Sequence, residues 1–223
     1  MTRIRDGVNT VPDLLKQLDS DPDNADLLMT LAQKFETMSG LKAAMSYWEI
    51  LFSLENVEPL MHSTAALKMA LFHSTENNDP ETLVSFINNE TSTEVLPQAF
   101  NALKNYYRTA KDTVNEADVY RRYVDFMSSI DRVDSGFLNG YAWRMTELNL
   151  NLENALERIS QGIDLFTGEE KAREKAQTMD TKGEVLWKLG RIDEAVAIMD
   201  ECIGLQPEDT YYQEQKTKFQ TPS

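Results

Sequence analysis

The sequence predicts an all-α chain: a right-handed superhelical solenoid of about five helical hairpins, with a further helix at each end. Three observations carry this expectation. Small residues recur at fixed intervals near the C-terminus, where Gly183 is followed twelve residues later by Ala195, seven later by Cys202 and five later by Pro207. Such spacing lets two antiparallel helices approach closely, while Gly190 permits the reversal and Pro207 ends the second helix because it has no N–H to donate. The same intervals return at Ala32, Ala44 and Leu51, and with one extra residue at Ala142, Ala155 and Gly162. Apolar side chains also fall three or four apart on the intervening segments, so each hairpin has a stripe that it can bury only against its neighbours.

Taken in order, Leu14, Leu15 and Leu18 form a short leading helix that ends in Asp19-Ser-Asp-Pro-Asp-Asn24. Leu28, Leu31 and Phe35 share a face of the next helix, Ser39-Gly40 makes a turn, and Met45, Trp48 and Phe52 share a face of its partner. Helices are expected from Pro59 to about Phe72 and from Glu81 to Asn88, the second announced by Asp79-Pro80. Glu94 to Arg108 and Thr113 to Met127 form a further pair. Ala66 lies 34 residues after Ala32 and marks the second repeat. The next hairpin spans Asn139 to Leu165, its extra residue placed in the Asn149-Leu-Asn151 turn. Thr167-Gly-Glu-Glu170 has capping-box spacing and opens a long helix to about Leu189. A final helix runs from about Glu208 to Phe219.

The stretch Thr181 to Pro207 resembles a tetratricopeptide repeat (TPR) at nearly every diagnostic spacing, and the resemblance extends over residues 25–207, strongly at the ends and weakly in the centre. It divides the chain into a leader (1–24), a repeat region (25–207) and a capping helix with tail (208–223). It implies binding of a protein or peptide in a concave groove lined by the first helix of each hairpin. Mapped through Ala142 and Gly183, the groove positions are Asn139, Trp143, Glu147, Asp180, Glu184, Trp187 and Lys188. Tryptophans beside carboxylates suit an extended segment with apolar and basic side chains. The plainer reading of Trp143 and Trp187 is that their rings seal the joint between repeats. Repeats that grip a C-terminal carboxylate use converging lysine, asparagine and arginine, whereas the first repeat offers Met29, Gln33 and Glu36 there. Arg3-Ile-Arg-Asp-Gly7 with the paired leucines that follow also resembles the end of a thioredoxin fold. This implies a rival reading: the tail of a thioredoxin-like protein that packs on its own domain or forms a homodimer. There is no Cys-x-x-Cys, so this chain does not carry that redox chemistry.

Composition narrows the function. Among 223 residues, 22 Lys and Arg stand against 37 Asp and Glu, a formal charge of -15. Nucleic acid is a poor partner for such a chain, because a phosphate backbone needs clustered cations. The acidity favours a basic partner or simply keeps the surface solvated. No apolar run approaches the roughly 18 residues of a membrane span. The opening Met1-Thr-Arg-Ile-Arg-Asp-Gly7 lacks a signal-peptide stretch, which fits a mature form or an excised fragment as well as a cytoplasmic protein.

No cofactor, metal site or catalytic residue is expected. Asp19 to Asp26 has carboxylates at alternate positions but lacks the glycine and the glutamate of a calcium loop. His62 and His73 on one helix would lie about 16 Å apart along its axis, too far for joint ligation. Cys202 occupies a small-residue slot and is expected to be a packed thiol. Asn89-Glu-Thr91 fits a glycosylation sequon, a short match that arises often by chance.

Overall fold

The computed structural model describes residues 10–168 and 171–221. Twelve helices and no strand occur among them, with 79% of these residues helical. Twelve is the number expected of five hairpins with one helix at each end. The stretch Arg3 to Gly7 and the Glu169 and Glu170 positions of the capping box lie outside the described residues. The chain divides between Tyr106 and Tyr107 into two compact units.

The first unit holds α1 (Val11–Ser20), α2 (Ala25–Ser39), α3 (Leu41–Ser53), α4 (Pro59–Asn77), α5 (Glu81–Asn89) and most of α6 (Leu96–Ala110). Its helices begin where local chemistry predicts. Asn24 accepts from the Leu27 N–H, and the Glu58 carboxylate accepts from the Met61 N–H just ahead of Pro59. Each satisfies a backbone donor that an isolated helix end leaves open. The Asp19–Asp26 cluster spans the end of α1, the turn at 21–24 and the start of α2. Gly40 takes φ +84, a left-handed conformation that costs glycine little, and so makes the reversal between α2 and α3. Leu28, Ala32, Ala44, Met45, Trp48, Leu51 and Ala65 form the core. The small residue that enters this core from α4 is Ala65, one before the expected Ala66. Phe52 is partly exposed and stacks on His62, with 4.5 Å between centroids.

The second unit holds the rest of α6, then α7 (Thr113–Ser129), α8 (Ser135–Leu148), α9 (Leu152–Asp164), α10 (Ala172–Lys188), α11 (Ile192–Leu205) and α12 (Tyr211–Phe219). Asn149 and Asn151 both adopt left-handed φ in the α8–α9 turn, but that turn spans the same three residues as the α10–α11 turn, so the extra residue of this repeat lies in the last turn of α8 instead. The Asn151 amide also donates to the Ala117 carbonyl. Helix α10 packs against α8, α9, α11 and α12. At Gly183 the packing is tight: an added Cβ would stand 2.8 Å from Met199 Cε and 2.9 Å from Phe219 Cε2. Around that point Ala176, Met179, Leu186, Ala195, Met199, Cys202, Tyr212 and Phe219 form one buried cluster. Cys202 is fully buried and its thiol donates to the Ala176 carbonyl at 3.4 Å.

Long-range polar contacts recur about one repeat apart. Lys42 meets Glu76 and Glu184 meets Lys218, each 34 residues away; Arg158 meets Asp125 across 33 and Lys68 meets Glu36 across 32. In the last three the separation matches the helix-pair length because they join corresponding helices of successive pairs, whereas Lys42 and Glu76 join α3 to α4.

Candidate functional site

All seven expected groove residues lie on α8 and α10, two adjoining helices of the second unit. Helix α8 carries Asn139, Trp143 and Glu147 at intervals of four, which places them along one face. Trp143 remains 44% exposed, the indole presented at the surface of a helix whose Leu138, Tyr141, Ala142 and Met145 are fully buried. Next to it, Arg144 bridges Glu147 and Glu116. Two of its nitrogens meet the two Glu116 oxygens at 2.9 Å each, and a third meets Glu147 at 2.9 Å. Arg108 adds a contact of 2.7 Å to Glu116.

Glu116, only 1% exposed, is the most deeply buried charge among the described residues. Burial alone would raise its carboxyl, but hydrogen bonds from Arg144 and Arg108, together with their charges, outweigh it and hold the group below the ordinary value. The two-point grip of a planar guanidinium on a carboxylate fixes rotation as well as distance, so α8 is pinned to α7 right beside Trp143. The network is not legible in the sequence, since Glu116 and Arg144 lie 28 residues apart and meet only through tertiary packing.

Helix α10 presents Asp180, Glu184, Trp187 and Lys188, and here α12 covers much of the stripe. The Tyr211 hydroxyl donates to Asp180 Oδ2 at 2.9 Å, and Lys218 Nζ meets Glu184 Oε2 at 2.7 Å. The Trp187 indole donates to the Thr221 carbonyl at 2.6 Å, and its ring lies 5.7 Å from that of Phe219. Lys188 and Lys218 place ammonium groups 4.9 and 4.8 Å from the Trp187 ring centre, close enough for cation–π attraction. The two tryptophans therefore have different surroundings: Trp187 is half-buried in a seam with the chain's own last helix, and Trp143 stays open. A sequence signal for this covering was present, because Glu184 to Lys218 and Trp187 to Thr221 are both one 34-residue repeat apart.

Two oxygens on this face, Asn139 Oδ1 and Asp180 Oδ1, are buried with no hydrogen-bond partner among the described residues. Burial raises the Asp180 carboxyl to about 6. The Tyr211 hydrogen bond and Lys218 oppose the rise, and the Glu184 charge adds to it.

His62 and His73 both line a cleft of about 410 Å³ between α4 and α5 in the first unit, with Ala66, Ala70 and Phe86. At its rim burial would raise Glu90, but the Ser92 N–H, the Ser63 hydroxyl and the Thr91 N–H outweigh that and lower it. Among the described residues no three His, Cys, Asp or Glu side chains converge to hold a metal ion, and no helix is long and apolar enough to cross a membrane.

Paired helices, small residues at the close approaches and repeat-length contacts define a TPR-like helical-repeat fold. Solved structures bear this out. The chain is similar to YrrB, a TPR protein described as having an unusual peptide-binding site, with a TM-score of 0.53 at 12% identity over 92% of this chain and 97% of that one. It is also similar to BtubC (BKLC) from P. vanneervenii, with a TM-score of 0.50 at 14% identity over 88% of this chain and 87% of that one. At these identities the likeness is one of fold. No protein-family profile matches the chain, and no curated protein matches it.

Proposed function

We propose that this chain is a non-catalytic scaffold that binds a protein or peptide on the exposed face of α8, with Trp143 as the anchor and Asn139 and Glu147 beside it. The single observation that carries the reading is the exposure of Trp143 on a helix otherwise held rigid by the Arg144–Glu116 pair. A large aromatic on a rigid backbone gives contact area at little entropic cost, which is why tryptophan is frequent among interface hot spots. A peptide-binding site on YrrB, a protein of the same fold, supports this use of the fold. Asp180, Glu184, Trp187 and Lys188 contribute the acidic flank and the seam behind it, rather than a second open anchor.

The partner favoured is an extended segment with an apolar side chain for the indole and basic side chains for Glu147 and the acidic surroundings. The test is a titration of labelled peptides that differ in charge, apolar-basic against apolar-acidic, with Trp143→Ala alongside. Binding of the basic set alone, weakened by about 2 kcal/mol in the variant, is expected for a hot-spot aromatic. Equal binding by the variant removes the site. Association that does not slow as salt rises removes the basic preference, because exposed charges are screened beyond about 8–10 Å.

A further inference from the structure

We propose that the cleft between α4 and α5 is a binding site for a small organic cation, whose aromatic body rests on Ala66, Ala70 and Phe86 and whose ammonium group meets the Glu90 carboxylate. The inference does not depend on the reading of α8, since the residues that line the cleft belong to the first unit.

The cleft exists because this hairpin is uneven. Helix α4 has 19 residues and α5 only 9, whereas α3, α9 and α11, the second helices of other hairpins, have 13, 13 and 14. Helix α5 is therefore about one turn short of them. The chain leaves it at Glu90, which takes extended φ and ψ. There the Glu90 side chain folds onto the backbone that follows, its Oε1 accepting from the Thr91 N–H at 2.7 Å and the Ser92 N–H at 2.8 Å. The carboxylate that marks the end of the helix is thus left at the rim, within reach of the Ser63 hydroxyl of α4. Ala66 and Ala70 leave the floor open, because neither side chain extends beyond Cβ.

The chemistry of the rim selects the ligand. Burial works against a charge on Glu90, but the Ser92 N–H, the Ser63 hydroxyl and the Thr91 N–H outweigh it, and a positive His62 adds to their effect. Those three donors are neutral, so the carboxylate keeps its negative charge at a half-buried place, where it attracts a cation more strongly than in open water. Two other rim groups have their protons engaged and can accept: the Thr82 hydroxyl donates to the Ala70 carbonyl at 3.2 Å, and the Asn89 amide donates to the Ser85 carbonyl at 2.8 Å. An anion would meet a like charge here, and a neutral apolar molecule would cover Glu90 without compensating it. A volume of about 410 Å³ over an apolar floor is that of a small-molecule site. Phe86 stands four residues before Glu90, roughly 6 Å of helical rise. That spacing suits a ligand whose ring and nitrogen are joined by a two-carbon link.

The probe is 2-phenylethylamine, with 3-phenylpropionate as an acid of similar size and shape, titrated into the full chain at about pH 8, where imidazole is ordinarily neutral. Nuclear magnetic resonance should show saturable shifts of amides in 62–73 and 82–90, with a Kd of about 1 mM or tighter for the amine and at least about tenfold weaker binding of the acid. Glu90→Gln retains an oxygen for the Thr91 and Ser92 N–H groups but loses the charge, and should weaken the amine by about tenfold or more. Ala66→Leu fills the floor and should abolish binding with Glu90 still in place. Absence of saturable binding by the amine, equal binding of the acid, shifts confined to other residues, or native affinity in Glu90→Gln overturns the proposal. So does a lysine-containing peptide that binds this cleft when the free amine does not. Should circular dichroism show Glu90→Gln unfolded, Ala66→Leu decides: unchanged affinity for the amine overturns the proposal and its loss supports it.

Discussion

The indole N–H of Trp187 donates to the carbonyl oxygen of Thr221 at 2.6 Å, across 34 residues of sequence. One repeat length thus separates donor from acceptor, and α12 stands beside α10 as the first helix of a further hairpin would. The contact separates two tryptophans that sequence alone treats alike and gives them opposite expected behaviour on mutation.

Trp143→Ala should leave stability within about 1 kcal/mol of the native protein, since an exposed ring has little burial to lose. Trp187→Ala should cost about 2–3 kcal/mol, below the usual range for a fully buried aromatic because the ring is only half-buried. Urea unfolding of the two variants makes the comparison. A Trp143 variant as unstable as the Trp187 variant would place both rings in structural roles.

Glu116→Ala should destabilise by about 1.5–3 kcal/mol, because it removes the buried acceptor of charge-assisted hydrogen bonds from Arg144 and Arg108, whose guanidinium groups keep some contact with solvent. The native Glu116 carboxyl is held below its ordinary value of 4.5, so its contribution is present above that value and is lost as pH falls through the lower, folded one. Stability measured against pH should consequently show an acid-side decline that is shallower in Glu116→Gln. Parallel curves for native protein and variant would mean that the pair is not a source of the acid sensitivity.

Cys202 should resist alkylation in the native state and react promptly once unfolded. Its thiol is fully buried, and burial, with the nearby Asp180 and Glu201 charges, pushes it up to about 12, so little thiolate exists at neutral pH. Labelling with iodoacetamide before and after denaturation reads this directly. Fast labelling of the folded protein is the contrary result.

Two helical glycines should respond in opposite ways to alanine. At Gly183 the new Cβ would press on Met199 Cε and on the Phe219 ring; the methionine end can yield, but the buried ring has little room to move. A loss of about 1–3 kcal/mol is expected from overpacking. At Gly204 nothing lies within 4 Å of the added Cβ, so the change should stabilise by about 0.5–1 kcal/mol through helix propensity and a less flexible unfolded chain. Thermal melting of both variants suffices, and a stabilised Gly183→Ala would mean that α10 and α12 pack less tightly than described.

Local signals account for most helix boundaries. Pro59, the Asn149–Asn151 turn and Gly40 each act within a few residues, through a missing donor or a left-handed φ, and each is found where the sequence puts it, while Asn24 adds a local cap to α2. The position assigned to Ala66 was off by one because Ala65 and Ala66 are chemically identical, and the facing helices decide which one enters the core. The same holds for the candidate site. Repeat spacing placed Asn139, Trp143 and Glu147 together on α8, and Asp180, Glu184, Trp187 and Lys188 on α10. It carried no information about the Arg144–Glu116 grip.

The sequence by itself determined the all-α repeat class and the order of the helices, because these depend on periodicities of three to four residues and on spacings that repeat. Only the tertiary structure decided which of the two tryptophans is open. Trp143 and Trp187 lie one and four residues after the small residues Ala142 and Gly183, one helical turn apart in repeat register, and have the same side chain. What separates them is a helix more than twenty residues beyond Trp187, whose Tyr211, Lys218 and Phe219 meet α10 because the core holds them there. Exposure is a property of what packs on a residue, and no local pattern around the residue encodes it.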